Sequence, residues 1–179
     1  MLEGKESVLI EVARRAMRAN LAEQPLELQE FELSYKPPVP VNGIFVALYI
    51  RTQGDRELRG CIGRHGRYFE TIAEEVADCT VLSATQDPRY GSIEEHEIKH
   101  LDIEISLLSR PGKVFDLNEI NPTIHGLLMH SGEKMATVLP DLIGVHSVQQ
   151  QITILKEKAG LTPEDQYFLE KFTCYKITE

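Results

Sequence analysis

The apolar run from Ile44 to Ile50 constrains the fold of this chain more than any other stretch. A strand whose side chains are apolar in both directions lies inside a sheet covered on both faces, so the run predicts a buried central strand, entered through Asn42-Gly43. The next apolar stretch, Leu58 to Ile62, is then its hairpin partner. This pairing predicts that Cys61 lies at the end of a strand in the middle of the sheet, where binding residues are often found.

Cys61 lies between two glycines in the stretch Leu58-Arg59-Gly60-Cys61-Ile62-Gly63. Glycine lets the backbone approach a ligand or another strand closely. Four arginines and two acidic residues lie between Asp55 and Arg67, and positive charge near a thiol favours the reactive thiolate. The stretch therefore predicts either a reactive cysteine or an anion pocket in which Cys61 is only part of the wall.

Charge and cysteine content exclude several classes of protein. A net charge of −9 over 179 residues argues against a nucleic-acid partner, which needs a dense basic face. Three widely spaced cysteines do not form a disulfide framework and indicate a reducing compartment. The N-terminus lacks the pattern of a signal peptide, and no apolar run reaches the roughly 20 residues of a membrane helix. We therefore expect a cytoplasmic protein with no membrane partner.

Periodicity of apolar residues predicts the remaining elements. Helices are expected over residues 5–20, 68–84 and 147–159, with a further helix start at 161–165; strands are expected over 98–108 and 168–177, and a second hairpin over 126–139.

The loop Asp87-Pro88-Arg89 presents an acid and a base together, because Pro88 ends the preceding helix. It is either part of a binding site or a turn held by its own Asp–Arg contact.

A cysteine nucleophile needs a base, and His125 is the candidate for Cys61. Glu104 or Asp87 could orient that histidine. The alternative is that Cys61 is a small buried apolar residue and that His125 is a satisfied turn residue.

The sequence His96-Glu97-Ile98-Lys99-His100 matches the H-E-x-x-H signature of zinc proteases. That chemistry needs both histidines on one helical face, whereas here the motif runs directly into a predicted strand, and no third ligand is evident. A solvated turn is the favoured interpretation, with a zinc hydrolase as a remote alternative, and no metal is expected. Nothing fits a dinucleotide or P-loop fingerprint, so no cofactor is expected either.

The motifs resemble those of the AMMECR domain family, whose prokaryotic members are called AmmeMemoRadiSam system protein A. Leu58 to Gly63 is the signature hexapeptide of that family, LRGCIG. Further stretches resemble family motifs in family order: Gly43-Ile44-Phe45-Val46-Ala47-Leu48, Asp87-Pro88-Arg89-Tyr90, Leu101 to Ser109, His125-Gly126-Leu127, Val138-Leu139-Pro140 and Lys158-Ala159-Gly160-Leu161. The chain is therefore identified as a member of this family.

The chain departs from the family pattern in two places. Arg64-His65-Gly66-Arg67 follows the hexapeptide where a threonine or similar residue is usual, and it adds positive charge. Lys156 stands where the family often has a cysteine, so a role for a second cysteine is in doubt.

The resemblance implies an α+β fold: a mixed or largely antiparallel sheet flanked by helices, with a smaller second α/β lobe, forming one domain over residues 1–179. It implies no established activity, and a shared modification pathway with Memo-like and radical-SAM proteins as partners.

Two functions follow from the residues and the resemblance together. One is Cys-dependent group transfer in a cleft around Cys61, with His125 as base and Glu104 orienting it. In that hypothesis, a set of residues around the hexapeptide binds a small polar or anionic group: Arg59, Gly60, Gly63, Asp87 and Arg89. The alternative is a non-catalytic interaction or scaffold module, in which the arginines recognise carboxylate or phosphate without chemistry.

Overall fold

The apolar run from Ile44 to Ile50 forms the middle strand of an antiparallel sheet. In the computed structural model, which describes residues 3–28, 31, 35–52 and 54–179, strand β1 (Gly43–Arg51) lies between β2 (Arg56–His65) and β3 (Leu101–Leu108). Both neighbours pair with β1 in antiparallel register. The predicted central strand and its hairpin are confirmed.

The predicted position of Cys61 within this sheet is wrong. Cys61 lies in the interior of β2, whose pairing with β1 continues through Gly63 to His65. Strand β2 is also at the edge of the sheet rather than in its middle. Gly63 does not end the strand, because a glycine keeps the backbone N–H and C=O groups that make the pairing.

Two helices cover one face of this sheet. Helix α1 spans Glu3–Leu21, and α2 spans Ile72–Thr85. Alternate residues of the central strands are buried with these helices in one core, which includes Val46, Leu48 and Ile105. Helix α2 begins four residues later than predicted because Thr71 caps it: the Thr71 side chain accepts the N–H of Glu74 in a capping box.

A second core lies among the later elements. Strands β4 (Gly112–Lys113), β5 (His125–Ser131), β6 (Lys134–Val138) and β7 (Phe168–Thr178) follow, with helix α3 (Val148–Ala159) between β6 and β7. The order is β6-β5-β7-β4, and all three pairs are antiparallel. The predicted second hairpin, β5–β6, is confirmed. The helix predicted to start at residue 161 is wrong, because the Asp165 carboxylate accepts the Thr162 N–H and closes a turn there.

The described chain divides into two compact units. Unit 1 comprises Met1–Leu108 and Tyr175–Glu179, and unit 2 comprises Ser109–Cys174. Short 3-10 helices precede β3 (Glu95–His100) and follow β4 (Leu117–Glu119). The predicted α+β class with an antiparallel sheet is confirmed. Within the described residues, no helix combines the length and the apolarity needed to cross a membrane.

Candidate functional site

A row of three residues crosses the face of the unit 1 sheet that the helices leave uncovered. Ala47 on β1 is in register with Cys61 on β2 and with Glu104 on β3. Residues directly opposite each other in antiparallel strands project to the same face, with Cβ atoms roughly 5 Å apart. Because alanine is small, the thiol of Cys61 and the carboxylate of Glu104 flank a floor formed by Ala47, which is itself 7% exposed.

Two cations hold the buried Glu104 carboxylate. Glu104 is 7% exposed, and its Oε2 accepts a hydrogen bond from Arg56 Nη2 at 2.9 Å. Lys176 Nζ lies 3.8 Å from the other oxygen. The Arg56 guanidinium also lies over the ring of Tyr49, 4.2 Å from its centroid. Burial, followed by the negative charge of Glu104, raises the pKa of the Tyr49 phenol, so this group stays a hydrogen-bond donor at neutral pH.

The Asp87-Pro88-Arg89 loop joins this site through the backbone of Cys61. The Cys61 N–H donates to Asp87 Oδ2 at 2.8 Å. Because β2 is an edge strand, this hydrogen bond gives the N–H the partner that a further strand would otherwise provide. Arg89 donates to the same carboxylate from Nε at 3.0 Å and from Nη2 at 2.7 Å. The loop is therefore held by its own Asp–Arg contact, as one of the two interpretations predicted, and it also reaches Cys61.

Asp87 and Arg89 differ sharply in exposure. The Asp87 side chain is 2% exposed, whereas that of Arg89 is 55% exposed. The side-chain hydrogen bonds from Arg89, supported by the Cys61 N–H, hold the pKa of Asp87 well below its usual range. The ionised Asp87 thus fixes the Arg89 guanidinium beside Cys61, and Arg89 Nη2 also lies 3.5 Å from the Cys61 carbonyl oxygen.

The four arginines near Cys61 in the sequence all have internal partners. Arg56 binds Glu104, and Arg59 binds Glu97. Arg64 pairs with Asp78 and lies over Tyr68, and Arg67 donates to the carbonyls of Phe69 and Glu70. Arg89, which comes from a different part of the chain, is also paired, but its side chain is more exposed than that of Arg56, at 55% against 42%.

The glycines on either side of Cys61 serve close backbone packing. A Cβ on Gly60 would lie 2.2 Å from the carbonyl oxygen of Ser83 in α2. A Cβ on Gly63 would lie 2.3 Å from the carbonyl oxygen of Ile44 in β1. Both glycines are thus required for strand β2 to lie against its neighbours.

The predicted base, His125, belongs to unit 2, whereas Cys61 and Glu104 belong to unit 1. His125 Nδ1 accepts the N–H of Asn121 at 3.0 Å, and its carbonyl accepts a hydrogen bond from Gln151 at 2.9 Å. Burial, followed by the charge of Lys171, lowers the pKa of the His125 imidazole. The pairing of His125 with Cys61 stays a prediction.

The H-E-x-x-H sequence lies in the 3-10 helix Glu95–His100. Residues four apart are about 120° apart around a 3-10 helix, against about 40° in an α-helix, so His96 and His100 do not share a face. The Glu97 carboxylate accepts two hydrogen bonds from Arg59. Across the described residues, no group of three or more His, Cys, Asp or Glu side chains is arranged to hold a metal ion.

The three cysteines are thiols in different surroundings. Cys79 is fully buried in α2, and burial raises the pKa of its thiol to about 11. Cys61 and Cys174 are partly exposed. Cys79 is therefore the least reactive cysteine of the three.

The sequence analysis missed three residues of this site: Tyr49, Arg56 and Lys176. Tyr49 lies two residues from Ala47 on β1, so strand alternation places it on the same face. Arg56 could have been found from the sequence, because it is one of the four arginines near Cys61. Nothing in the sequence marked Lys176, because it joins Glu104 from 72 residues further along the chain.

The whole chain resembles several known proteins. The model of the AMMECR1 family matches residues 10–178. A protein of Thermotoga maritima is 34% identical over 132 residues, which cover 73% of this chain and 74% of that protein. A protein of Methanosarcina barkeri is 29% identical, with 99% of this chain and 95% of that protein covered. A protein of Clostridium acetobutylicum is 33% identical, but the match covers only 28% of its length.

A solved structure shares the fold. The crystal structure of an uncharacterized protein from Pyrococcus horikoshii superposes with a TM-score of 0.79. The superposition covers 94% of this chain and 88% of that one, at 25% sequence identity.

Proposed function

The chain belongs to the AMMECR1 family, as its motifs predicted, and on that basis we propose that it binds a small anionic group at Cys61 and carries it as a covalent thiol adduct. The row Cys61–Ala47–Glu104 is the observation that carries this proposal. It sets a thiol and a carboxylate on either side of a small floor, on a rigid sheet rather than on a loop.

Charge around the thiol favours an anionic group. Arg56, Arg89 and Lys176 contribute three positive charges, against the carboxylates of Asp87 and Glu104. This positive excess stands out in a chain with a net charge of −9. Arg89 is the most exposed of the three, at 55% against 42% for Arg56 and 30% for Lys176, and Asp87 fixes its direction by holding Nε and Nη2.

The covalent step is an ordinary thiol substitution. The Cys61 thiol gives its proton to water, and the thiolate attacks the carbonyl carbon of an activated acyl group to form a thioester. The bond from that carbon to the leaving group breaks, and the leaving group departs with the electron pair. In the transfer step, a nucleophile of the acceptor attacks the thioester carbonyl, the carbon–sulfur bond breaks, and the Cys61 thiolate departs with the electron pair. The proton of the acceptor nucleophile goes to water.

Alkylation of the native protein, followed for each cysteine by peptide mass, tests this proposal. Iodoacetate is anionic and iodoacetamide is neutral, so the ratio of their rates reports the charge at the thiol. We expect Cys61 to react, with an iodoacetate-to-iodoacetamide ratio about two to five times that of Cys174, as expected for a charge interaction of up to about 1 kcal/mol near the surface. Cys61 that stays unmodified until the protein unfolds, or that shows no preference for the anion, contradicts the proposal.

A protein-interaction module is the second candidate, and exposed aromatic side chains in unit 2 favour it. Phe115 is 87% exposed and Phe168 is 53% exposed, and the two line one surface depression with Leu117 and Tyr167. The proposed partners are the Memo-like and radical-SAM proteins that the family resemblance implies. Mixing each purified partner with the wild-type chain and with Phe115→Ser tests this candidate by size-exclusion chromatography. A co-eluting complex that Phe115→Ser abolishes is the expected result, and no complex with either partner contradicts it.

We also propose a cytoplasmic location. Three widely spaced cysteines, an odd number, support it, because chains of oxidising compartments tend to pair their cysteines in a disulfide framework. Fractionation of cells that express the tagged full chain tests this proposal, and recovery from a secreted or membrane fraction contradicts it.

A further inference from the structure

We propose that Glu97 is a positioning residue for the Cys61 site and acts through Arg59. The inference rests on the proposed function, in which the direction of the Arg89 guanidinium matters. Glu97 is the glutamate of the H-E-x-x-H sequence, which lies in the 3-10 helix. Among the described residues, it belongs to no group of side chains that could hold a metal ion, so the inference gives it a different role.

The contact between Glu97 and Arg59 fixes both the place and the rotation of the guanidinium. Arg59 Nε donates to Glu97 Oε1 at 2.9 Å, and Arg59 Nη2 donates to Glu97 Oε2 at 3.1 Å. Both side chains are mostly buried. A two-point contact of this kind holds the guanidinium in one plane, which a single hydrogen bond does not do.

Arg59 then uses its remaining donors on the loop that carries Arg89. Nη1 donates to the carbonyl of Gly91 at 2.7 Å, and Nη2 donates to that of Ser92 at 3.1 Å. These carbonyls come two and three residues after Arg89. The loop is therefore tied at one end by Asp87 to the Cys61 N–H, and at the other end by Arg59.

Glu97 is well placed to act as the fixed point of this arrangement. Its Oε2 also accepts the N–H of Glu94, which ties the carboxylate to the start of its own 3-10 helix. The hydrogen bonds from Arg59, the larger cause, and from that N–H lower the pKa of Glu97, so it remains an anion at neutral pH. Without that anion, Arg59 loses its two-point anchor and the loop after Arg89 loses its restraint. Arg59 therefore connects Glu97 to the loop that carries Arg89, and its predicted part in ligand binding stays a prediction.

The matched variants are Glu97→Gln and Glu95→Gln. Both remove one negative charge from the same short helix, but Glu95 is exposed. We expect Glu97→Gln to lower the iodoacetate-to-iodoacetamide rate ratio at Cys61 about two- to fivefold, toward the ratio at Cys174. Glu95→Gln should keep the wild-type ratio. General loosening of the protein also moves the ratio toward that of a free thiol, so the urea midpoint of each variant is measured as well. A lower ratio in Glu97→Gln at an unchanged midpoint shows positioning of Arg89 rather than loss of stability.

Hydrogen exchange supplies a second readout that does not depend on the proposed function. The amides of Cys61 and Arg89 both donate to Asp87. We expect both to exchange at least severalfold faster in Glu97→Gln than in Glu95→Gln. Glu97→Asp, which keeps the charge but shortens the side chain, should give intermediate values in both assays and replaces Glu97→Gln if that variant does not fold.

The outcomes separate the two proposals. A wild-type protein without anion preference at Cys61 contradicts the proposed function, and hydrogen exchange alone then decides whether Glu97 positions the loop. A wild-type preference that survives in Glu97→Gln, with unchanged exchange at both amides, overturns the role of Glu97 and leaves the proposed function standing.

Discussion

Replacing Gly60 with alanine is expected to destabilise unit 1, because the new methyl group meets backbone. It would lie 2.2 Å from the carbonyl oxygen of Ser83 and 3.1 Å from the carbonyl carbon. Unbonded heavy atoms come to rest roughly 3.5 Å apart, so β2 and α2 must separate by about 1 Å at this point. Ser83 lies in the last turn of α2, and its backbone carbonyl moves away less readily than the end of a flexible side chain does.

The cost follows from the contacts that this separation disturbs. Forcing an extra methyl group into a packed core costs about 1–3 kcal/mol. The Ser83 hydroxyl lies 2.8 Å from the Val46 carbonyl oxygen and accepts the N–H of Ile62 at 2.8 Å. Losing such hydrogen bonds costs about 1 kcal/mol each. The free energy of unfolding should therefore fall by about 3–5 kcal/mol, a large part of the roughly 5–15 kcal/mol that holds a domain together.

Urea unfolding measures this loss, and Gly91→Ala is the control. A Cβ on Gly91 has no atom within 4 Å. With a denaturant slope of about 2 kcal/mol/M, Gly60→Ala should lower the urea midpoint by about 1.5–2.5 M. Gly91→Ala should move it by less than about 0.5 M. Equal midpoints for wild type and Gly60→Ala would show that β2 does not need glycine in order to pack against α2.

Three further predictions concern a charge, a cap and the second core. Asp87→Asn should lower the stability of the protein by about 2–3 kcal/mol at pH 7 by urea unfolding, because the carboxylate binds Arg89 and its pKa is depressed in the folded state. The ionised Asp87 contributes this free energy above the pKa of an unfolded aspartate, about 4, and the contribution is lost as the pH falls further. The difference in unfolding free energy between Asp87→Asn and wild type should therefore shrink at pH 3. A difference that stays constant contradicts the depressed pKa of Asp87. Ser147→Ala should cost about 1 kcal/mol by thermal unfolding, because Ser147 caps α3 in a capping box with Gln150, and an unchanged melting temperature contradicts it. Leu155→Ala should cost about 2–5 kcal/mol by urea unfolding, because Leu155 is fully buried in the unit 2 core, and a loss below 1 kcal/mol contradicts it.

The features that the sequence predicted well are local. The central strand followed from an unbroken apolar run, and its hairpin followed from the next apolar stretch. The Asp87–Arg89 contact followed from the proline between the two residues, which forces a turn that brings them together. Each of these inferences needs only a short window of sequence.

The features that the sequence did not predict depend on register between distant segments. Cys61 lies inside an edge strand because β2 pairs beyond its second glycine, and no residue type in the stretch marks that extension. Glu104 was predicted in the Cys61 site as the residue that orients His125, but its place across Ala47 from Cys61 depends on the register of both neighbouring strands with β1. Arg59 is next to the Cys61 stretch in sequence and is a residue type that binds anions. Only the structure shows that it forms a salt bridge with Glu97.

The return of the chain to unit 1 bears on the order in which this protein folds during synthesis. Residues 175–179 belong to unit 1, although the whole of unit 2 precedes them in the sequence. Glu179 binds the Arg14 guanidinium at 2.9 Å, and its N–H donates to the carbonyl of Ile103. A nascent chain that has reached Leu108 therefore lacks a piece of unit 1 that arrives only after unit 2 has left the ribosome. The row of residues around Cys61 then gains Lys176, the second cation on Glu104, only after the residues of unit 2.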